Sequence, residues 1–153
     1  METALRYEII KTIPELKDEI YPTNAPEGHT RPYLVYSRIN TKKIKTLQGL
    51  TGSEHLSYMF SVMATRYGDM VSLREEVEKL LIGFLGTTIG DKNKFYIEDI
   101  DINNVNEVYE HELKINRGII DFTIYFEEVK KEDVDNDEDE DENENNDNKE
   151  GED

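Results

Sequence analysis

The chain contains no cysteine and no tryptophan, only four prolines in 153 residues, and no apolar run longer than a few residues. Without cysteine there are no disulfides and no thiolate metal sites. Without a run of roughly 20 apolar residues there is no helical membrane span. Met1-Glu2-Thr3 is not basic and no apolar h-region follows, so no secretory signal is expected. The expectation is a soluble chain, intracellular or built into a particle inside a cell, with no membrane partner. Constellations for chemistry are equally sparse. His29, His55 and His111 are scattered without metal-ligand spacing. No Gly-rich phosphate loop opens a helix: Gly83-Phe84-Leu85-Gly86 closes one and lacks the Gly-Lys-Ser/Thr ending. Asp99, Asp101 and Glu107 have loose calcium-loop spacing but not the glycine or terminal glutamate of such a loop. No nucleophile has a base at a recognisable spacing. A non-enzymatic protein with no cofactor and no metal is expected.

What is present is negative charge, unevenly spread. The formal net charge is −17. Residues 132–153 hold 14 acids and one base, Lys149, a net of −13, leaving −4 for the other 131 residues. Val134 is the only aliphatic residue of that segment. Such a stretch buries too little apolar surface to offset its ordering entropy, so two units are expected: a folded domain over 1–131 and a disordered acidic tail over 132–153. The tail reads first as a self-repelling solubiliser, with DNA repulsion or cation capture as its functional alternative. The remaining 131 residues are long enough for one domain with one modest core.

Within that domain the periodicities alternate. Ala4, Leu5, Ile9, Ile10 and Ile13 recur at helical spacing, predicting a first helix over about 3–17 with Thr3 as N-cap and a break near Pro14. A short extended piece, Ile20-Tyr21, stops at Pro22. From Pro32, Tyr33/Val35/Ser37/Ile39 and Leu34/Tyr36/Arg38 point to opposite faces of a central strand. Residues 40–54, with Lys42, Lys43, Lys45, Gly49 and Gly52, read as a long polar loop, or as strands extended into a protruding hairpin. A strand over His55–Arg66 turns Leu56/Tyr58/Phe60/Val62/Ala64 to the core. A second helix starts at a cap on Asp69 or Ser72, carries Val71, Leu73, Val77, Leu80, Leu81, Phe84 and Leu85 as its stripe, and stops at Gly86. Gly83 in its last turn reads as close packing or early termination. After a polar turn at 87–94, Phe95–Ile102 is a strand whose apolar phase slips, predicting a bulge. Residues 103–108 read as a connector. A closing strand pattern over about 109–127 breaks near Asn116-Arg117-Gly118, as a hairpin turn or as a kink in one long strand, and turns Ile120, Phe122, Ile124 and Phe126 inward. The fold class is α+β: a mixed, mostly antiparallel sheet with two helices packed on one face.

The order of these signals resembles the tail-completion family of tailed phages, the tail terminator or head-to-tail joining proteins. The matching pieces are the first amphipathic helix, Ile20-Tyr21-Pro22, Pro26-x-Gly28 and Arg31-Pro32-Tyr33-Leu34-Val35-Tyr36. Leu50-x-Gly52, the alternating strand Tyr58–Ala64, a helix near Ser72 and Asp121-Phe122-Thr123-Ile124 complete the set. The likeness spans roughly residues 4–128; the lysine-bearing loop and the acidic tail fall outside it. The resemblance implies a homo-oligomeric ring, usually a hexamer, at the head–tail junction of a virion. Such a ring caps the head-proximal end of the tail tube, terminates tail elongation and presents a joining surface to the head connector or stopper. DNA passes through its lumen without specific binding. Interface candidates toward the tube protein or a neighbouring subunit are Lys42, Lys43, Lys45, Leu47, Tyr33 and Tyr58, because a cyclic ring needs apolar and aromatic surface beyond one core.

Two other readings compete. One is a neck or head-completion protein of the same machine. The other is a small acidic DNA-mimic or inhibitor, which the placement of most excess charge in the tail disfavours. Three lysines on an acidic chain are weak support for nucleic-acid binding.

Overall fold

A computed structural model describes residues 1–130; the predicted acidic tail, 132–153, lies outside the described residues. Helix α1 (Glu2–Thr12) is followed by a 3-10 turn (Pro14–Leu16) and strand β1 (Ile20–Pro22). Strands β2 (Tyr33–Thr46) and β3 (Gly49–Ala64) form one long hairpin. Helix α2 (Tyr67–Gly83) precedes the two-residue β4 (Thr88–Ile89) and a second long hairpin, β5 (Phe95–Glu110) with β6 (Ile115–Glu128). The six strands lie in the order β1-β2-β3-β6-β5-β4, with β1 parallel to β2 and the other described pairs antiparallel. The expected α+β class holds.

Alternation explains why both helices cover one face. Leu56, Tyr58, Phe60 and Val62 of β3 and Ile120, Phe122, Ile124 and Phe126 of β6 all point the same way and are buried. Leu5 and Ile9 of α1 and Leu73, Val77 and Leu81 of α2 close over them. The centre is aromatic: Phe60 meets Phe122 edge-on at 4.8 Å, and Tyr58 stacks on Phe122 at 5.6 Å. A smaller cluster of Tyr33, Met63 and Ile115 sits on the opposite face, under Tyr21, Ala25 and Val35.

Several expected boundaries shift. The first helix ends at Thr12, because Pro14 disfavours helical geometry at Ile13, and only a 3-10 turn continues. Thr3 lies inside α1; Met1 holds the N-cap position without a side-chain bond. Helix α2 starts after Arg66, so Asp69 occupies its first turn, where a carboxylate suits the helix dipole, and Ser72 lies inside it. It ends at Gly83, where an added Cβ would meet nothing within 4 Å, so early termination and not close packing is the role of that glycine. The sheet is longer than expected. Residues 103–108 are not a connector but the middle of β5, and the hairpin turn falls at 111–114, not at Asn116-Arg117-Gly118. The predicted phase slip is real: register shifts fall between Ile97 and Asp99 and between Ile102 and Asn104. Gly118 lies within β6, where Met70 and Arg74 of α2 sit directly over it.

Candidate functional site

Residues 40–54 form the outer half of the β2–β3 hairpin, the second of the two arrangements open from sequence. The turn is Leu47-Gln48, and Gly49 and Gly52 supply positive φ values of 123° and 86°. Thr46 Oγ1 accepts a bond from the Gln48 N–H (3.3 Å), and Thr51 Oγ1 donates to the Ile44 carbonyl (3.3 Å). Pairing of β3 with β6 begins at Ser53–Glu127, so Gly49–Gly52 and the β2 residues beside them have no further strand to lean on. At about 3.4 Å per residue, those four residues carry the tip roughly 14 Å past the sheet. The tip is apolar at its end: Leu47 is fully exposed and Leu50 is 64% exposed.

Lys42, Lys43 and Lys45 are exposed on this arm. Lys43 pairs with Glu54 at 3.4 Å; Lys42 and Lys45 have no ion-pair partner among the described residues. The two tyrosines behave differently. Tyr58 is wholly buried at the core, on the inward phase of β3, and Tyr33 is buried with Met63 and Ile115 while His29 meets its ring edge-on at 4.3 Å. Neither presents a ring to another molecule in this chain, because each sits on the covered phase of its strand. Of the six residues expected at an interface, the structure gathers Lys42, Lys43, Lys45 and Leu47 on one arm and consigns Tyr33 and Tyr58 to packing.

Charge at the base of the arm is organised by Arg38. Its guanidinium pairs with Glu2 at the start of α1, with Nε donating at 2.7 Å and a second nitrogen closer still. Burial works to raise the Glu2 carboxyl, but bonds from its own backbone N–H and from Arg38 outweigh this and hold it below the ordinary value. The Tyr58 hydroxyl ends beside this pair with no hydrogen-bond partner of its own, and burial, reinforced by the Glu2 charge, pushes its pKa far up. This cluster ties α1 to the sheet.

Two sheet edges are open among the described residues, and sequence reading does not find them, because an edge is defined by strand order. β1 covers only Leu34–Tyr36 of β2, so the last ten of its 14 residues, Ser37–Thr46, have no outer strand among the described residues. β4 covers only Phe95 and Tyr96, and the segment before it bonds to Ile97, so the last 13 of the 16 residues of β5, Glu98–Glu110, are likewise unpaired on the outer side. The helix-free face between the edges is a polar lattice. Ser57 and Thr123 hydroxyls bond at 3.0 Å, Tyr125 donates to Asp101 at 2.8 Å, and Arg117 donates to Ser61 at 3.0 Å. No three His, Asp or Glu side chains gather to hold a metal among the described residues.

The geometry defines a scaffold with a projecting arm and two free edges, a build suited to assembly. No family model matches the chain, and no curated protein matches it in sequence. Its fold is shared with a chain of the virion of a native gene transfer agent particle, with a TM-score of 0.64 over 83% of this chain and 94% of that one, at 10% identity. At that identity the likeness is one of fold.

Proposed function

We propose that the protein is a structural component of a phage-like particle. It assembles as a ring on the head-proximal end of the tail tube, stops tube growth and offers the joining surface to the head connector or stopper. The observation that carries this reading is the near-complete coverage, 94%, of a virion chain by this fold, on a molecule whose long hairpin ends in unburied leucines. Leu47 and Leu50 at that tip provide apolar surface for the tube protein, and Lys42, Lys43 and Lys45 line the arm behind them. The work is mechanical: contacts made once and held while DNA passes through the lumen. A heterologous contact repeated around an axis closes such a ring.

The test is an early stop codon in this gene in its parent phage or prophage, with the lysate imaged by negative-stain electron microscopy. Filled heads beside unattached tails of unregulated length are expected. Tails of normal length that fail only to attach would move the protein to the neck of the same machine. Normal infectious particles would remove it from assembly altogether and favour the acidic inhibitor.

A further inference from the structure

The two open edges carry opposite charge. Along Ser37–Thr46 the side chains include Arg38, Lys42, Lys43 and Lys45 and no acid. Along Glu98–Glu110 they include Glu98, Asp99, Asp101, Glu107 and Glu110 and no base. We propose that the unpaired edge of β2 in one copy receives the unpaired edge of β5 from the next, joining the two sheets into one and setting the subunit contact of the ring. The inference rests on the ring reading above and deepens it by naming the contact.

Strand direction allows it. β2 runs antiparallel to β3, β3 to β6, and β6 to β5, so β2 and β5 are themselves antiparallel. A second copy continuing the sheet in the same orientation brings its β2 alongside β5 in the antiparallel sense, the more stable pairing per residue. Level matters as well. Cross-strand partners place Lys42, His55, Tyr125 and Asp99 in one row, and Asn40, Ser57, Thr123 and Asp101 in another. A copy added at the same level sets its Lys42 beside Asp99 of its neighbour, with Glu98 adjacent. Arg38 and Lys43 are already engaged by Glu2 and Glu54, so Lys42 and Lys45 are the cations of the edge left to a partner among the described residues.

Charge also decides what the edges refuse. Bare strand edges pair indiscriminately, and proteins blunt them with charge. Glu107 and Glu110 of β5 are paired with Arg74 and Arg117, so the charges left to act across the edges are Lys42 and Lys45 on β2 and Glu98, Asp99 and Asp101 on β5; like meets like in either two-fold pairing, and both are penalised. The β2–β5 contact alone satisfies backbone and charge together, and it joins two different patches, as ring formation requires.

The experiment uses the full chain in two variants, Lys42→Glu with Lys45→Glu, and Glu98→Lys with Asp99→Lys. All four side chains are exposed and none makes an ion pair within the described residues. Far-UV circular dichroism checks that each variant is folded. Sedimentation velocity is then run on the wild type, each variant and their equimolar mixture, from micromolar to millimolar protein. In the first variant acids meet acids where position 42 faces Asp99 and Glu98, and in the second bases meet bases at the same row, so each alone is expected to remain monomeric. The mixture is expected to assemble alternately into a species the size of the wild-type ring, about 107 kDa for six chains of 17.9 kDa. If both variants assemble alone as the wild type does, the ring stands and the edge pairing falls. If the mixture stays monomeric throughout, the edge pairing falls whatever the wild type does, and the terminator reading is judged separately by the tail-length phenotype.

Discussion

Gly118 offers a sharp test of how helix and sheet meet. It lies within β6, and a Cβ placed there would sit 2.7 Å from Met70 Sδ, 3.0 Å from Arg74 Cδ and 3.2 Å from Arg74 Cβ, all on α2. Alanine at this position strikes mainly the thioether, which is adaptable. It also removes the entropic cost of glycine in a strand, about 0.5–1 kcal/mol, so Gly118→Ala is expected to be close to neutral. Valine adds two methyl groups against Arg74 Cβ, which is anchored to the helix and cannot retreat without moving α2. Overpacking of that kind costs about 1–3 kcal/mol, and the upper part of the range is expected here because Arg74 Cβ is fixed to the helix backbone. At about 4 °C per kcal/mol for a domain of this size, Gly118→Val should lower Tm by roughly 8–12 °C, read by thermal unfolding in circular dichroism. The same substitution in a Met70→Ala background should cost at least about 1 kcal/mol less, because contacting residues are not additive. A Gly118→Val protein that melts with the wild type would refute close approach of α2 at this point; an equal drop in both backgrounds would place the clash on Arg74 and not on Met70.

Three further outcomes follow from the arm and its base. Replacing Lys42, Lys43 and Lys45 by alanine together should leave the thermal transition within a few degrees, since exposed charges contribute about 0–1 kcal/mol each, while tube capping in a complementation assay falls; intact capping would remove the lysines from the interface. Leu47→Ser with Leu50→Ser should likewise spare stability and lower capping, and a melting temperature that falls instead would mean that the tip is packed within the chain. Glu2 has a folded pKa below the ordinary 4.5, so its charged form stabilises the fold above that pH, and the contribution is lost as pH falls through the folded value. The Tm difference between wild type and Glu2→Gln should therefore be widest near neutral pH and close on acidification; a constant difference from pH 7 to pH 3 would show that the Glu2–Arg38 pair contributes nothing through charge.

The inward phases of β3 and β6 were legible because alternation is local: Leu56, Tyr58, Phe60 and Val62, then Ile120, Phe122, Ile124 and Phe126, face the core as their spacing predicts. The α2 stripe was legible for the same reason at helical period, although Leu85 beyond its end is exposed. β5 was half hidden. Its two bulges shift the phase twice, and Asn103, Asn104 and Asn106 have weak strand preference, so its outer half reads as a connector until β6 is seen to hold it in register. Asn116-Arg117-Gly118 reads as a turn or a kink because glycine permits either, but the small size of Gly118 serves the approach of α2 instead. Tyr33 and Tyr58 look like spare aromatic surface because composition gives no account of which rings the core consumes.

Composition and short-range period suffice for the class of fold, the faces that turn inward, the bulged character of β5 and the segregation of negative charge into residues 132–153. The placement of β3 beside β6 comes instead from the packing of the whole chain. That non-local pairing leaves β2 and β5 as the open edges, sets bases against acids across the width of the sheet, and frees the tip at Leu47. Periodicity says which side of a strand is wet, whereas strand order, chosen by the packing of the whole chain, says which strand has no neighbour.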